Sequence, residues 1–151
     1  MLATEDLAGA LKAVEEWRAR EPKEPVLHLE ARLLAALGQG PKAAEALRKL
    51  VAKSPLYAPA YVTLGILCER QAEDAEAVAQ LQQALYLDPK LPLAWFHLGN
   101  VYQRQKDARR AAHAYRQTLK LAPHFAPEWD SGFTKALLVK VCEQNIARLS
   151  R

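Results

Sequence analysis

Cysteine is scarce in this chain of 151 residues: only Cys68 and Cys142 carry thiols, and no paired spacing links them. That count speaks against a disulfide framework, and both, set among apolar neighbours, are expected as buried free thiols in a reducing compartment. No apolar run approaches the ~20 residues of a membrane-spanning helix. The start of the chain, with Glu5 and Asp6, lacks the basic and apolar regions of a signal peptide. A cytoplasmic protein without membrane association is the expectation. Excess charge of one sign is also missing: 21 Lys and Arg stand against 17 Asp and Glu, a net +4, too slight to argue for nucleic acid. No HExxH pair occurs, no glycine-rich strand-to-helix turn is present, and His28, His97, His113 and His124 have no carboxylate or thiol at a ligand spacing. They read as surface or groove histidines. The carboxylate pairs Glu15–Glu16 and Glu73–Asp74 sit in contexts that read as solvated. Neither a catalytic constellation nor a cofactor or metal is expected.

What the chain does have is a period. Half of it is apolar and a quarter charged, the balance of one soluble domain. Pro55, Pro89 and Pro123 lie 34 residues apart, and other positions travel with them. The same step aligns bulky Leu27, Tyr61 and Trp95, tiny Ala31, Gly65 and Gly99, and small Ala43, Ala77 and Ala111; Leu47, Leu81 and Tyr115 form another large set. Within each unit apolar residues recur at three- and four-residue steps on both sides of a polar break, so each unit reads as two amphipathic helices. The breaks are Gly38 to Lys42, Gln71 to Glu76 and Gln105 to Arg110. Proline disfavours helical geometry in the residue before it, which predicts helix ends at Ser54, Asp88 and Ala122. Gly65 with Ala77, and Gly99 with Ala111, should let paired helices approach closely. One unit cannot bury its own apolar face, but stacked neighbours can.

The pattern resembles the tetratricopeptide repeat. Tyr61, Leu64, Gly65, Ala77, Leu81, Ala84 and Pro89, then Trp95, Leu98, Gly99, Tyr102, Ala111, Tyr115 and Pro123, carry the likeness. The resemblance implies an all-α fold, a right-handed superhelix of antiparallel helix pairs, with repeats at 24–57, 58–91 and 92–125. The first is the weakest, with Glu30 where the others have leucine. Residues 1–23 are expected to hold a capping helix with Ala10, Val14 and Trp17 on one face. Residues 126–151 should hold a C-terminal cap, begun by Ser131 or Thr134, in which Leu137, Leu138, Val141, Cys142 and Leu149 cover the last repeat.

Within that family, residues 84–105 (ALYLDPKLPLAWFHLGNVYQRQ) are similar to the C-terminal repeats of CheR-type chemotaxis receptor methyltransferases, and Gly132, Phe133 and Thr134 resemble the ending that follows them. This likeness implies a non-catalytic regulatory module whose S-adenosylmethionine-binding domain would precede residue 1; the alternative is a free-standing scaffold or assembly adaptor. The family's concave groove maps onto His28 and Arg32, then Val62, Ile66, Glu69 and Arg70, then Phe96, Asn100, Gln103 and Arg104. Asn100 matches an asparagine that in many relatives hydrogen-bonds a peptide backbone, and a planar amide offers both donor and acceptor for that task. Phe96 and Ile66 would anchor apolar side chains, and Arg32, Arg70 and Arg104 would select acidic ones, since guanidinium binds carboxylate bidentately. The expected partner is therefore a protein or peptide segment, acidic in part, with a chemoreceptor or the linked methyltransferase domain as candidates. Charge is polarised along the array. Residues 92–125 hold six basic residues and one acid, whereas 58–91 hold two basic residues and five acids. The basic group lies mostly at a turn and on a second helix, away from the groove, without the exposed aromatic residues a nucleic-acid surface requires.

Overall fold

The computed structural model describes residues 4–125 and 134–151. Among these the chain is all-helical: α1 (Thr4–Arg20), α2 (Glu24–Ala36), α3 (Gly40–Lys53), α4 (Ala58–Arg70), α5 (Asp74–Leu87), α6 (Pro92–Arg104), α7 (Ala108–Leu121), a 3₁₀ turn (Ala122–His124) and α8 (Lys135–Leu149). Helices pair as α2·α3, α4·α5 and α6·α7, and each second helix packs on the first helix of the next pair. Flanking the array, α1 lies on α2 as α3 lies on α4, and α8 covers α7. The stack is a superhelix of antiparallel pairs.

Proline sets both ends of many of these helices. Pro25, Pro41, Pro59 and Pro92 occupy first-turn positions, where a missing N–H costs nothing and φ is already helical. At the other ends, α3, α5 and α7 stop with Ser54, Asp88 and Ala122 as C-caps. Side-chain N-caps occur at Asp107, which accepts from the Arg110 N–H (3.1 Å), and at Thr134, which accepts from the Leu137 N–H (3.1 Å). Ser131, Gly132 and Phe133 lie outside the described residues.

The turn inside each pair is the same device three times, and its conformation is not evident from residue type. Gly38, Ala72 and Lys106, at equivalent positions of the repeat, have φ of +78°, +58° and +60°. Their N–H groups bond back to Ala35, Glu69 and Gln103, and the following N–H groups of Gln39, Glu73 and Asp107 reach Leu34, Cys68 and Tyr102. That is the Schellman arrangement, for which glycine carries no Cβ penalty. Only the first turn has it. Ala72→Gly and Lys106→Gly are each expected to stabilise the fold by about 0.5–1 kcal/mol, because the strained Cβ is removed where the left-handed conformation is imposed. Chemical denaturation with an unchanged m-value checks this.

The core runs through the stack as neighbouring clusters. Ala31, Ala43, Leu47, Leu64, Cys68 and Ala77 join the first two pairs, while Leu81, Phe96, Leu98, Tyr115, Leu138 and Cys142 join the last pair to α8. Both thiols are buried and free, and desolvation pushes each up to about 11. The glycines work more directly than their pairing with Ala77 and Ala111 suggests. A Cβ at Gly65 would lie 2.6 Å from Leu81 Cγ, and one at Gly99 would lie 2.6 Å from Tyr115 Cε1. Their absence makes room for the large residues of the second helix. Two cap residues correct the expectation: Trp17 is 48% exposed and Leu137 43%, so Val14 in α1, and Leu138 with Cys142 in α8, do the covering.

Candidate partner-binding groove

The first helices define the inner face, because α2 contacts α4 and α4 contacts α6, whereas the second helices are spread farther apart. Thr63 and His97, equivalent positions of the repeat, each reach a different position of the preceding first helix. On α4, Thr63 lies 2.7 Å from His28 Nε2, and on α6 His97 Nδ1 lies 2.5 Å from Glu69 Oε2. These bonds tie each first helix to the preceding one. They also occupy side chains expected to face a partner.

Several groove assignments need correction on this evidence. His28 is only 5% exposed, and its ring stands edge-on to Tyr57 at 5.8 Å. His97 is likewise half-buried against a carboxylate rather than a surface residue. Phe96, expected as an open anchor, is 4% exposed and packs with Tyr115 in the core. Glu69 is held by His97. The Tyr115 hydroxyl lies 2.7 Å from Asn100 Oδ1 and 2.8 Å from Gln103 Oε1, and it has one proton to donate. Burial pushes that phenol well above the ordinary tyrosine range, against the opposing effect of a hydrogen bond with Asn145 of α8. Asn100 and Gln103 thus compete as acceptors for that single proton, and the Asn100 side chain is turned toward Tyr115 inside the fold. Arg104 donates from Nε to Asp74 Oδ1 (2.9 Å) and from Nη2 to the Glu69 carbonyl, and the Asp74 bond raises its pKa. Arg32 has interactions within the fold.

What stays open is a stripe on α4. Val62 and Ile66 are half-buried and Arg70 is exposed, at successive i, i+4 positions that share one helix face. Arg70 occupies the place that Arg104 holds one repeat later, but the residue equivalent to Asp74 is Gly40, and among the described residues no carboxylate meets it. At the other end of the stripe Val62 lines a mainly apolar recess of about 130 Å³, with Pro59, Leu91, Pro92, Leu93 and Phe125 around it together with Lys90 and His124. No sequence pattern had singled out this recess, since it joins α4, α6 and the segment after α7.

Across the molecule, Cys68 Sγ and the carboxylates of Glu73 and Glu76 converge within 4.8 Å, a spacing that suits a metal ion. Arg48 already supplies the cation. It donates to both oxygens of Glu76 at 3.0 Å and lies 3.6 Å from Glu73, so its own pKa rises and that of Glu76 falls. The cluster reads as an ion pair joining adjacent repeats.

Models of the tetratricopeptide repeat match residues 73–106 and 92–125. Residues 73–125 carry tetratricopeptide repeats. Among curated proteins, it is 28% identical over 125 residues to the human protein O-mannosyl-transferase TMTC1, covering 80% of this chain and 14% of that protein. It is 33% identical over 97 residues to tetratricopeptide repeat protein 17 of Danio rerio, covering 62% of this chain and 8% of that one. The chain thus spans a small part of the relatives it matches. Among solved structures, MamA superposes with a TM-score of 0.72 at 24% identity, over 97% of this chain and 88% of its own. The type III secretion chaperone SycD of Yersinia enterocolitica, in complex with a peptide of the translocator YopD, superposes at 0.72 and 13% identity, over 82% and 89%. At such identities the likeness concerns the fold. No described helix is long and apolar enough to cross a membrane.

Proposed function

We propose that this chain is a protein-interaction module whose inner face binds a segment of a partner protein, with one apolar side chain in the Val62 recess and one carboxylate on Arg70. The observation that carries this reading is the stripe itself: an apolar hole at one end, Ile66 between, and an unpaired guanidinium two turns away. Eight residues of α-helix set the two ends ~12 Å apart, a separation a short peptide spans. The SycD structure, of similar fold, is in complex with a translocator peptide, which supports a peptide ligand for this one. Hydrophobic burial would supply affinity and the bidentate ion pair orientation.

Peptides selected from a random displayed library on the intact chain test this. The selected sequences are expected to share an apolar residue and an acid at fixed separation, and Val62→Glu and Arg70→Glu should each weaken them roughly tenfold or more, since an unpaired or repelled charge costs more than one lost contact. Selected peptides that bind both folded variants as tightly as the parent would refute the groove.

A finer reading makes the module the regulator of a CheR-type receptor methyltransferase, such as that of the Frz system. Its support is the resemblance of residues 84–105 and the placement of Thr134 as the cap of α8. Receptor methylation by a fusion carrying the catalytic domain, with and without Val62→Glu, decides it: an unchanged pattern of modified sites separates the module from methylation.

A further inference from the structure

A second cleft lies between α6 and the start of α7, built from Trp95, Tyr102, Asp107, Arg109, Arg110 and His113, none of which belongs to the α4 stripe. At about 520 Å³ it has the volume of a ligand site rather than of a packing fault. Its walls are aromatic. Trp95 meets His113 edge-on at 5.7 Å, and the Arg110 guanidinium lies 5.8 Å from the centre of the Tyr102 ring. The charges are partly spoken for: Asp107 caps α7 through one oxygen and holds Arg110 Nε at 3.5 Å through the other. Arg109 is exposed and makes no ion pair among the described residues. Arg109 and Arg110 against Asp107 give the lining two cations and one anion, a surplus of a single positive charge. The indole N–H of Trp95 adds a donor that is buried and has no acceptor among the described residues. Such donors are rare in folded proteins, which satisfy them from the chain, water or a ligand.

We infer that this cleft is a separate binding site for an acidic segment of a partner protein, taking a glutamate or aspartate side chain between Arg109 and the aromatic wall. One carboxylate matches the surplus charge, with the exposed Arg109 guanidinium as its partner. A phosphate dianion fits less well, because the fixed Asp107 carboxylate repels a second negative charge. The aromatic walls suit the methylene stem of such a side chain. Arg116 and Lys120 continue the positive surface along α7, so a run of acids is favoured over a single one.

The test uses the intact chain and a short peptide alternating glutamate and serine, with two controls in which glutamine or phosphoserine replaces glutamate. Nitrogen-15 spectra resolve the indole N–H resonances of Trp17, Trp95 and Trp129, and Trp95→Phe assigns the one of interest. The glutamate peptide is expected to shift the Trp95 resonance and leave Trp17 unmoved, with an affinity that falls as salt rises. Arg109→Ser together with Arg110→Ser, both on exposed side chains, should weaken binding roughly tenfold. Asp107→Asn keeps the helix cap but removes the negative charge, so it should tighten binding several-fold. Val62→Glu should change nothing, which separates this cleft from the groove. Equal binding of the glutamine peptide, tighter binding of the phosphoserine peptide than of the glutamate one, or insensitivity to the arginine pair would each overturn the assignment.

Discussion

Gly99→Leu is expected to lower the melting temperature by roughly 10 °C, the largest loss of any single substitution at a repeat glycine. A Cβ there would sit 2.6, 2.8 and 3.0 Å from Cε1, Cδ1 and Cζ of Tyr115, and the leucine adds three more carbons behind it. The ring cannot withdraw. Tyr115 is fully buried, and its hydroxyl is held by the Asn100 and Gln103 amides. Forcing extra methylenes into such a contact costs typically ~1–3 kcal/mol, and the tether places this case at the upper end. Gly65 differs in kind, because its neighbour Leu81 has no polar anchor, and the first repeat accommodates the equivalent Ala31 in its core. Gly65→Ala should therefore cost less than Gly99→Ala. Combining Gly99→Leu with Tyr115→Ala offers the leucine the space the ring vacates, so the pair should be at least ~1 kcal/mol less destabilising than the sum of the singles. Strict additivity would show that the clash is not with Tyr115.

Leu138→Ala is expected to cost ~2–5 kcal/mol, although it lies in a helix outside the repeats. Leu138 is fully buried in the cluster that contains Phe96, Tyr115 and Cys142, so truncating it opens a cavity at the end of the stack. Because each pair contacts only its neighbours, the damage should stay local. Amide exchange is expected to speed up in α7 and α8 while α2 and α3 keep their protection. Uniform loss of protection along the chain would mean that the array unfolds as one unit rather than by pairs.

Much of this architecture is legible in the order of residues. A 34-residue period with size classes preserved at each step dictates helix pairs, and proline chemistry dictates that helices stop at Ser54, Asp88 and Ala122. Both are local rules. Helical periodicity names a face, and the residue before proline is disfavoured in helical φ and ψ, as Ser54 and Asp88 show, whereas Ala122 keeps helical angles and leads α7 into the 3₁₀ turn. The same locality explains what the pattern hid. Ala72 and Lys106 take left-handed conformations because the paired helices on either side demand it, against the preference of their own side chains. The candidate groove residues lie on the first helices, but a first helix in a stack shares that face with its neighbour. Whether Arg104 finds Asp74, whether Arg70 finds only Gly40, and whether Phe96 turns inward against Tyr115 depend on how adjacent pairs are staggered. The chain by itself determined the repeating unit. The tertiary stack decided which polar groups are consumed in holding units together and which, like Arg70 and Arg109, are left to meet a partner, because that choice rests on distances between helices that no single helix encodes.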